Sequence, residues 1–294
     1  MSVAIVTDST ADLDQALLTQ YQITTIPLSV AIGETYYLDR VELTPTQFMD
    51  RLTHTREPVR TAAPAPGAFA TVYRELLAQE GVDSIVSIHL SGGLSFTVRA
   101  AQAGARLVNG DITVIDSQNA SVGCGLLVWW AARRAQRGAT QGQIVSEVQA
   151  LVPKIQLLFA PVTLEYLARG GRIGQAARLI GTMLDMKPIL EVDHGIIKAA
   201  KKVRGVRHII PAMIQLFGER ITEGSDCLLA IVSTTPVPEL DQLSHMLSEN
   251  YHIVAELRAE AGPVIGAHAG PGAFGAILCP LETAEVVQWN QTES

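Results

Sequence analysis

Residues 84–97 read SIVSIHLSGGLSFT, and this stretch decides the fold class. Ser84 to Leu90 is a short run rich in β-branched residues, which reads as a strand. A turn, Ser91-Gly92-Gly93-Leu94-Ser95, then delivers the chain into an Ala-rich segment from Phe96 to Leu107 that reads as a helix. The same unit stands on either side. Val3 to Thr7 reads as a strand, Asp8-Ser9-Thr10 as a cap-rich turn, and Leu13, Leu17 and Tyr21 follow at helical spacing. Ile112 to Ile115 reads as another strand, with Asp116-Ser117 as the cap of a long helix to about Arg137. A βαβα order of this kind implies an α/β fold whose mainly parallel sheet is flanked by helices on both faces. Ligands on such sheets bind at the carboxyl ends of strands. The turns at Asp8, Ser91 to Ser95, and Asp116-Ser117 are therefore the places to look.

The segments between these units are equally readable. Ile23 to Ile32 reads as a strand interrupted by Pro27. Thr44 is an N-cap with Pro45 at the first helical position and Gln47 completing a capping box; Leu43 and Phe48 are spaced for a hydrophobic staple. A helix over 45–54 follows. After the loop TAAPAPG at 61–67, Phe69, Val72, Tyr73, Leu76 and Leu77 trace one face of another helix.

Around residue 155 the pattern restarts, dividing the chain into an N-terminal α/β domain, 1–155, and a C-terminal one, 156–294. In the second, Ile155 to Val162 reads as a strand, and the turn Arg169-Gly170-Gly171-Arg172 leads into a helix ending near Asp185. Ile189 to Val192 and Ile196 to Ala200 flank Asp193-His194-Gly195, a hairpin signal. Helices near 206–218 and 237–249 surround a strand at 228–233, and strands at 253–257 and 276–279 close a mixed sheet.

The composition excludes several classes. Of 294 residues, 48% are hydrophobic and 17% charged, so the chain is not disordered. Net charge is −7, which argues against a nucleic-acid partner. Three cysteines, Cys124, Cys227 and Cys279, lie far apart with no metal-binding spacing, and read as buried apolar residues. The N-terminus lacks the pattern of a signal peptide. The longest apolar run, Val122 to Ala132, is too short to span a bilayer and reads as a buried helix. A cytoplasmic location is the expectation.

Several motifs need weighing. GPGAFG at 270–275 matches a dinucleotide glycine pattern, but a strand rather than a helix follows it and only 19 residues remain. It reads instead as a turn bringing backbone near a ligand. No phosphate-binding loop or nucleophile elbow occurs. Asp8 reads as a helix cap. No histidine pair has metal spacing. His268, between an apolar run and the glycine turn, reads either as a structural histidine or as a site residue. The Ser91 to Thr97 turn is the strongest physical clue: free N–H groups at a helix start suit a carboxylate or phosphate, with Ser95 as N-cap. Ser95 alternatively serves only its own helix. Lys198, Lys201, Lys202, Arg204, Arg207 and His208 form one basic cluster, either a solvated face or a docking surface.

DSTADL at 8–13, TAAPAPGAF at 61–69, SIHLSGGLSFT at 87–97, LARGGRI at 167–173, KKVR at 201–204 and AHAGPGAFG at 267–275 occur in the order found in the DegV family, which the chain resembles over nearly its whole length. The resemblance implies two α/β domains holding a long-chain, palmitate-like fatty acid between them. It implies no cofactor, and a non-catalytic carrier that presents the acyl chain to a separate fatty acid kinase, a step in phospholipid metabolism. By the same resemblance Thr61, Ser95 and His268 bind the carboxylate and Arg204 docks the kinase; Arg172 matches a family arginine whose role stays open. Ala62 and Ala63 depart from the family's Ser-Gln, Gly92 replaces a common Ser, and Phe96 stands where Gly is usual, which leaves ligand length open. The alternative is an enzyme, an acyl hydrolase or phosphotransfer protein, using Ser95 with His268.

Overall fold

The computed structural model describes residues 2–179 and 186–290. The chain starts with β1 (Ser2–Asp8), α1 (Gln15–Gln20), β2 (Thr24–Ile26), β3 (Ser29–Ile32), β4 (Thr35–Leu38), α2 (Pro45–His54) and β5 (Val59–Ala62). It continues through α3 (Pro66–Leu77), β6 (Val82–His89), α4 (Thr97–Ala105), β7 (Asp111–Asp116), α5 (Val122–Gln136) and α6 (Gln141–Leu151). Strands β2-β1-β6-β7 form a four-stranded sheet, parallel throughout. One face packs on α3 and α4 through Val6, Phe69, Tyr73, Ile85 and Ala101. The other packs on α5 and α6 through Ile5, Val86, Leu127 and Ile144. This is the flanked parallel sheet expected from the sequence.

Pro27 explains why the run 23–32 becomes two strands. It has no N–H to offer a ladder, so β2 ends at Ile26 and joins the parallel sheet. Beyond it β3 turns into a separate antiparallel sheet, β4-β3-β5. That small sheet was not expected. The expected capping box is present: Thr44 Oγ1 accepts from Gln47 N and Gln47 Oε1 accepts from Thr44 N. Leu43 and Phe48 are both buried beside it, as a staple requires.

The second half comprises β8 (Gln156–Ala160), α7 (Glu165–Arg169), β9 (Met186–Asp193), β10 (Ile196–Arg204), α8 (Ile209–Gly218) and β11 (Asp226–Ser233). Then follow α9 (Glu239–Asn250), β12 (His252–Glu260), α10 (Pro263–Ala269), β13 (Phe274–Pro280) and α11 (Thr283–Asn290). The sheet order is β10-β9-β8-β13-β11-β12, antiparallel except for the β11/β12 pair, hence mixed. His194 and Gly195 turn the β9–β10 hairpin with φ of 48° and 77°, the left-handed pair that suits a tight turn.

Two expectations need correction. Asp116-Ser117 does not cap α5, which starts only at Val122. Asp116 instead accepts Gly92 N and Gln118 N, and the Ser117 hydroxyl is bonded within the turn to Asn119. The helix expected after Arg172 is a 3-10 helix over Gly174–Leu179; its expected remainder, 180–185, lies outside the described residues.

The apolar run 122–132 is the centre of the molecule. Helix α5 touches β1 and β6 on one side and β11 and β12 on the other. Trp130, Leu126 and Leu127 are within 1% of complete burial. A helix apolar all round is stable only when enclosed, and here two sheets enclose it. Among the described residues, no helix is long and apolar enough to cross a membrane.

Candidate functional site

Between the two sheets lies a cavity of about 970 Å³, part of it open to solvent. Its wall is mainly Leu, Ile, Val, Ala and Phe side chains, contributed by β8, β9, β10, β11, β13 and α10 and by the turns after β2 and β6. Few polar side chains reach it, and Thr61, Ser95, Arg172 and His268 are among them. The structure thus brings together the three residues singled out in sequence, with Arg172 as a fourth.

Thr61 lies on β5, paired with Val30 of β3, so the small antiparallel sheet is what presents its side chain. His268 lies near the end of α10, whose Pro263 occupies the first turn. Thr61 Oγ1 and His268 Nε2 are 2.9 Å apart, a hydrogen bond across 207 residues of sequence. Burial, reinforced by the nearby Arg172 guanidinium, pushes the His268 pKa down to about 4. The imidazole is therefore neutral at physiological pH, a hydrogen-bonding group and not a cation. Its Nδ1 is buried with no hydrogen-bond partner.

Gly170 packs against that nitrogen. A Cβ built on Gly170 would fall 2.1 Å from His268 Nδ1, so only glycine lets the turn lie flat against the ring. Arg172 locks the same turn: its Nη1 donates to Gly170 O at 2.7 Å and its Nε donates to Leu94 O at 3.0 Å. The arginine thereby joins the LARGGRI turn to the SGGLS turn.

Ser95 differs from its expected geometry. The N-cap position of α4 is Phe96, not Ser95. The Ser95 hydroxyl still serves the helix start, accepting from Thr97 N at 3.3 Å and sharing a hydrogen bond of 2.8 Å with Thr97 Oγ1. The turn itself is held by the β9–β10 hairpin: Ser91 Oγ donates to Gly195 O at 2.7 Å, and a Cβ on Gly195 would meet that hydroxyl at 2.3 Å. Phe96 does not line the cavity; it is 68% exposed, with the Arg99 guanidinium over its ring. Ala62 and Ala63 do line it.

Beyond Thr61 and His268 an open groove continues outward, lined by Arg56, Arg60, Arg169 and Arg172. Arg169 is paired with Glu165. Neither Arg56 nor Arg60 was singled out in sequence, because nothing local marks two loop and strand arginines as neighbours of residue 268. Arg204 is not part of this assembly. It is exposed at the end of β10, the edge strand of the mixed sheet, with Lys198 paired to Asp193 and Lys201 bonded to Gln215 on the same strand.

A fully buried chain runs from Asp8 through His89 and Ser87 to Tyr73, with links of 2.9, 2.7 and 2.8 Å. It orders the carboxyl end of the parallel sheet but lines no part of the apolar cavity. Asp8 also accepts Thr10 N, the cap read from the sequence, although it caps a short 3-10 turn. Among the described residues no group of three or more His, Cys, Asp and Glu could hold a metal ion.

The architecture is α/β, with an apolar cavity between the parallel and the mixed sheet and a polar end to that cavity. The chain belongs to the DegV family, whose description, an uncharacterised protein family, matches residues 2–281. A DegV domain-containing protein of Deinococcus radiodurans is 34% identical over 281 residues, covering 96% of this chain and 99% of its relative. A Streptomyces coelicolor relative is 34% identical over 277 residues, covering 94% and 98%. Among solved structures, a fatty-acid-binding DegV family protein from Thermus thermophilus superposes with a TM-score of 0.90 at 33% identity, covering 96% of this chain and all of that one. DegV of Bacillus subtilis, described as a fatty acid binding protein, gives 0.86 at 31% identity, covering 96% and 100%.

Proposed function

We propose that this protein is a non-catalytic carrier of a long-chain fatty acid, held where residues 1–155 and 156–294 meet. The observation that carries the reading is the apolar cavity with Thr61, Ser95 and His268 on its wall. About 15 buried methylenes at ~0.8 kcal/mol each contribute roughly 12 kcal/mol before association costs remove several. The tail therefore supplies affinity and the polar end needs only to orient. Thr61 Oγ1 and His268 Nε2 share a hydrogen bond, and in the tautomer that carries its proton on Nε2 the Thr61 O–H is free to donate to the carboxylate.

The carrier presents its carboxylate to a fatty acid kinase. The arginine-lined groove supports this, since it leads outward from Thr61 and His268 and its charge suits an anionic phosphoryl donor. Arg204, exposed on the edge strand, is the docking residue. Arg204→Ala is expected to keep fatty acid binding and lose kinase-dependent acyl phosphate formation; full activity in the variant removes the docking role. The enzyme alternative, with Ser95 activated by His268, is less well supported. Among the described residues their side chains bond to Thr97 and Thr61 instead of to each other, and no carboxylate orients His268 Nδ1.

The test is denaturing mass spectrometry of the organic extract from freshly purified protein. A stoichiometric fatty acid is the expected result. None, even after incubation with excess palmitate, rejects the carrier.

A further inference from the structure

Helix α10, which carries Val264, Ile265 and His268 on the cavity wall, is held at its start by two buried carboxyl groups, one of them paired with Arg40. Asp12, in the left-handed region at φ 54°, accepts Gly262 N at 2.8 Å and Arg40 Nη2 at 3.0 Å on Oδ1, and the Ser121 hydroxyl on Oδ2. Asp39, 1% exposed, accepts Val264 N at 3.3 Å. Arg40 also donates to the Glu260 carbonyl, at the end of β12. These groups crowd one backbone position: a Cβ on Gly262 would meet Arg40 Nε at 2.8 Å and a carboxylate oxygen of each aspartate at 3.1 Å.

The remaining neighbours do not balance the charge. The Ser9 hydroxyl and the Val264 amide are neutral donors to Asp39. Asp8, on the same side, is paired with His89. The Glu260 carboxylate accepts from Thr46, and that of Glu42 accepts Leu38 N. Two acids thus face one guanidinium in a buried place, and a second negative charge there is costly.

We propose that Asp39 is a proton-linked clamp on α10. With Asp39 protonated, α10 is seated and His268 and Thr61 hold the acyl head group. With Asp39 ionised, its repulsion with Asp12 loosens the start of α10, and the grip weakens. This rests on the carrier reading. Burial, with Asp12 adding to it, pushes the Asp39 carboxyl up to about 7; burial raises Asp12 as well, opposed by Arg40 and by the Ser121 and Gly262 hydrogen bonds, and His268 lies apart near 4.

Palmitate binding is measured by equilibrium dialysis at pH 6.0, 7.0 and 8.5 on the wild type and Asp39→Asn. The wild-type affinity is expected to fall about threefold to tenfold across that range, the effect of half to one unit of linked pKa change, and to stay flat in the variant. A pH-independent wild type, or the same slope in Asp39→Asn, overturns the clamp. No palmitate binding at any pH overturns the carrier reading and the clamp with it. Should Asp39→Asn not fold, calorimetric titration of the wild type at pH 7.0 in phosphate and in Tris reads protons directly. Net uptake of a fraction of a proton on binding is expected, and none overturns the clamp.

Discussion

At the scale of single residues, the polar end of the cavity is built by shape as much as by charge. Thr61 and His268 meet at 2.9 Å, and Gly170 gives the ring its room. Thr61→Val keeps the shape and removes the hydroxyl. Fatty acid affinity measured by calorimetry is expected to fall about fivefold to tenfold, the net worth of a neutral or charge-assisted hydrogen bond. An unchanged affinity places the carboxylate elsewhere. Gly170→Ala is expected to displace the His268 ring and to weaken binding by a similar factor, about fivefold. In the double variant with His268→Ala the Gly170→Ala effect is expected to vanish; strict additivity instead means Gly170 acts independently of the histidine. Thr61 and His268 were legible because each stands in a family motif. Gly170 was legible only as part of a turn, since the close approach that requires it is to a residue almost a hundred positions away.

At the scale of elements, local signals decided local structure where they were complete. The 45–54 helix has a capping box, a proline at its first position and a staple, and it forms as read. Thr44→Ala is expected to cost about 1 kcal/mol in urea unfolding, the usual worth of a threonine N-cap; a change near zero means that the staple alone fixes the start. Helix α6 carries an equally complete box, Thr140 with Gln143, yet went unread. Helix α10 has only seven residues, three of them small, and no apolar face longer than two turns, so periodicity had nothing to detect. Asp116 shows the opposite failure. Its position after a strand resembles a cap, but its carboxylate was taken by Gly92 N from the neighbouring turn. The strand run 23–32 split because Pro27 ended one ladder and the chain found a second sheet to join.

At the scale of the whole molecule, the two sheets share one core through α5, and buried charge sits where residues 12, 39 and 262 meet. That placement has a cost that depends on pH. The Asp39 carboxyl is near 3.8 unfolded and about 7 folded. Between those values the unfolded chain has released the proton that the fold retains, so stability falls as pH rises from about 4 to about 7 and is level above. The loss is on the order of a few kcal/mol at most. Urea midpoints are expected to be lower at pH 8 than at pH 5.5, with the difference reduced in Asp39→Asn; equal differences in both proteins assign the effect to other groups. The sequence by itself determined the α/β class, the enclosed helix at 122–132 and the ordered motifs of the DegV family. Strand and helix periodicity, caps and turns are properties of neighbouring residues, so they can be read along the chain. The tertiary structure alone decided that Thr61, Ser95, Arg172 and His268 line one cavity, that Phe96 does not, and that Asp12, paired with Arg40, and Asp39 meet at the start of α10. Those contacts span up to 250 residues, and they are set by how the two sheets pack on α5, which no local pattern encodes.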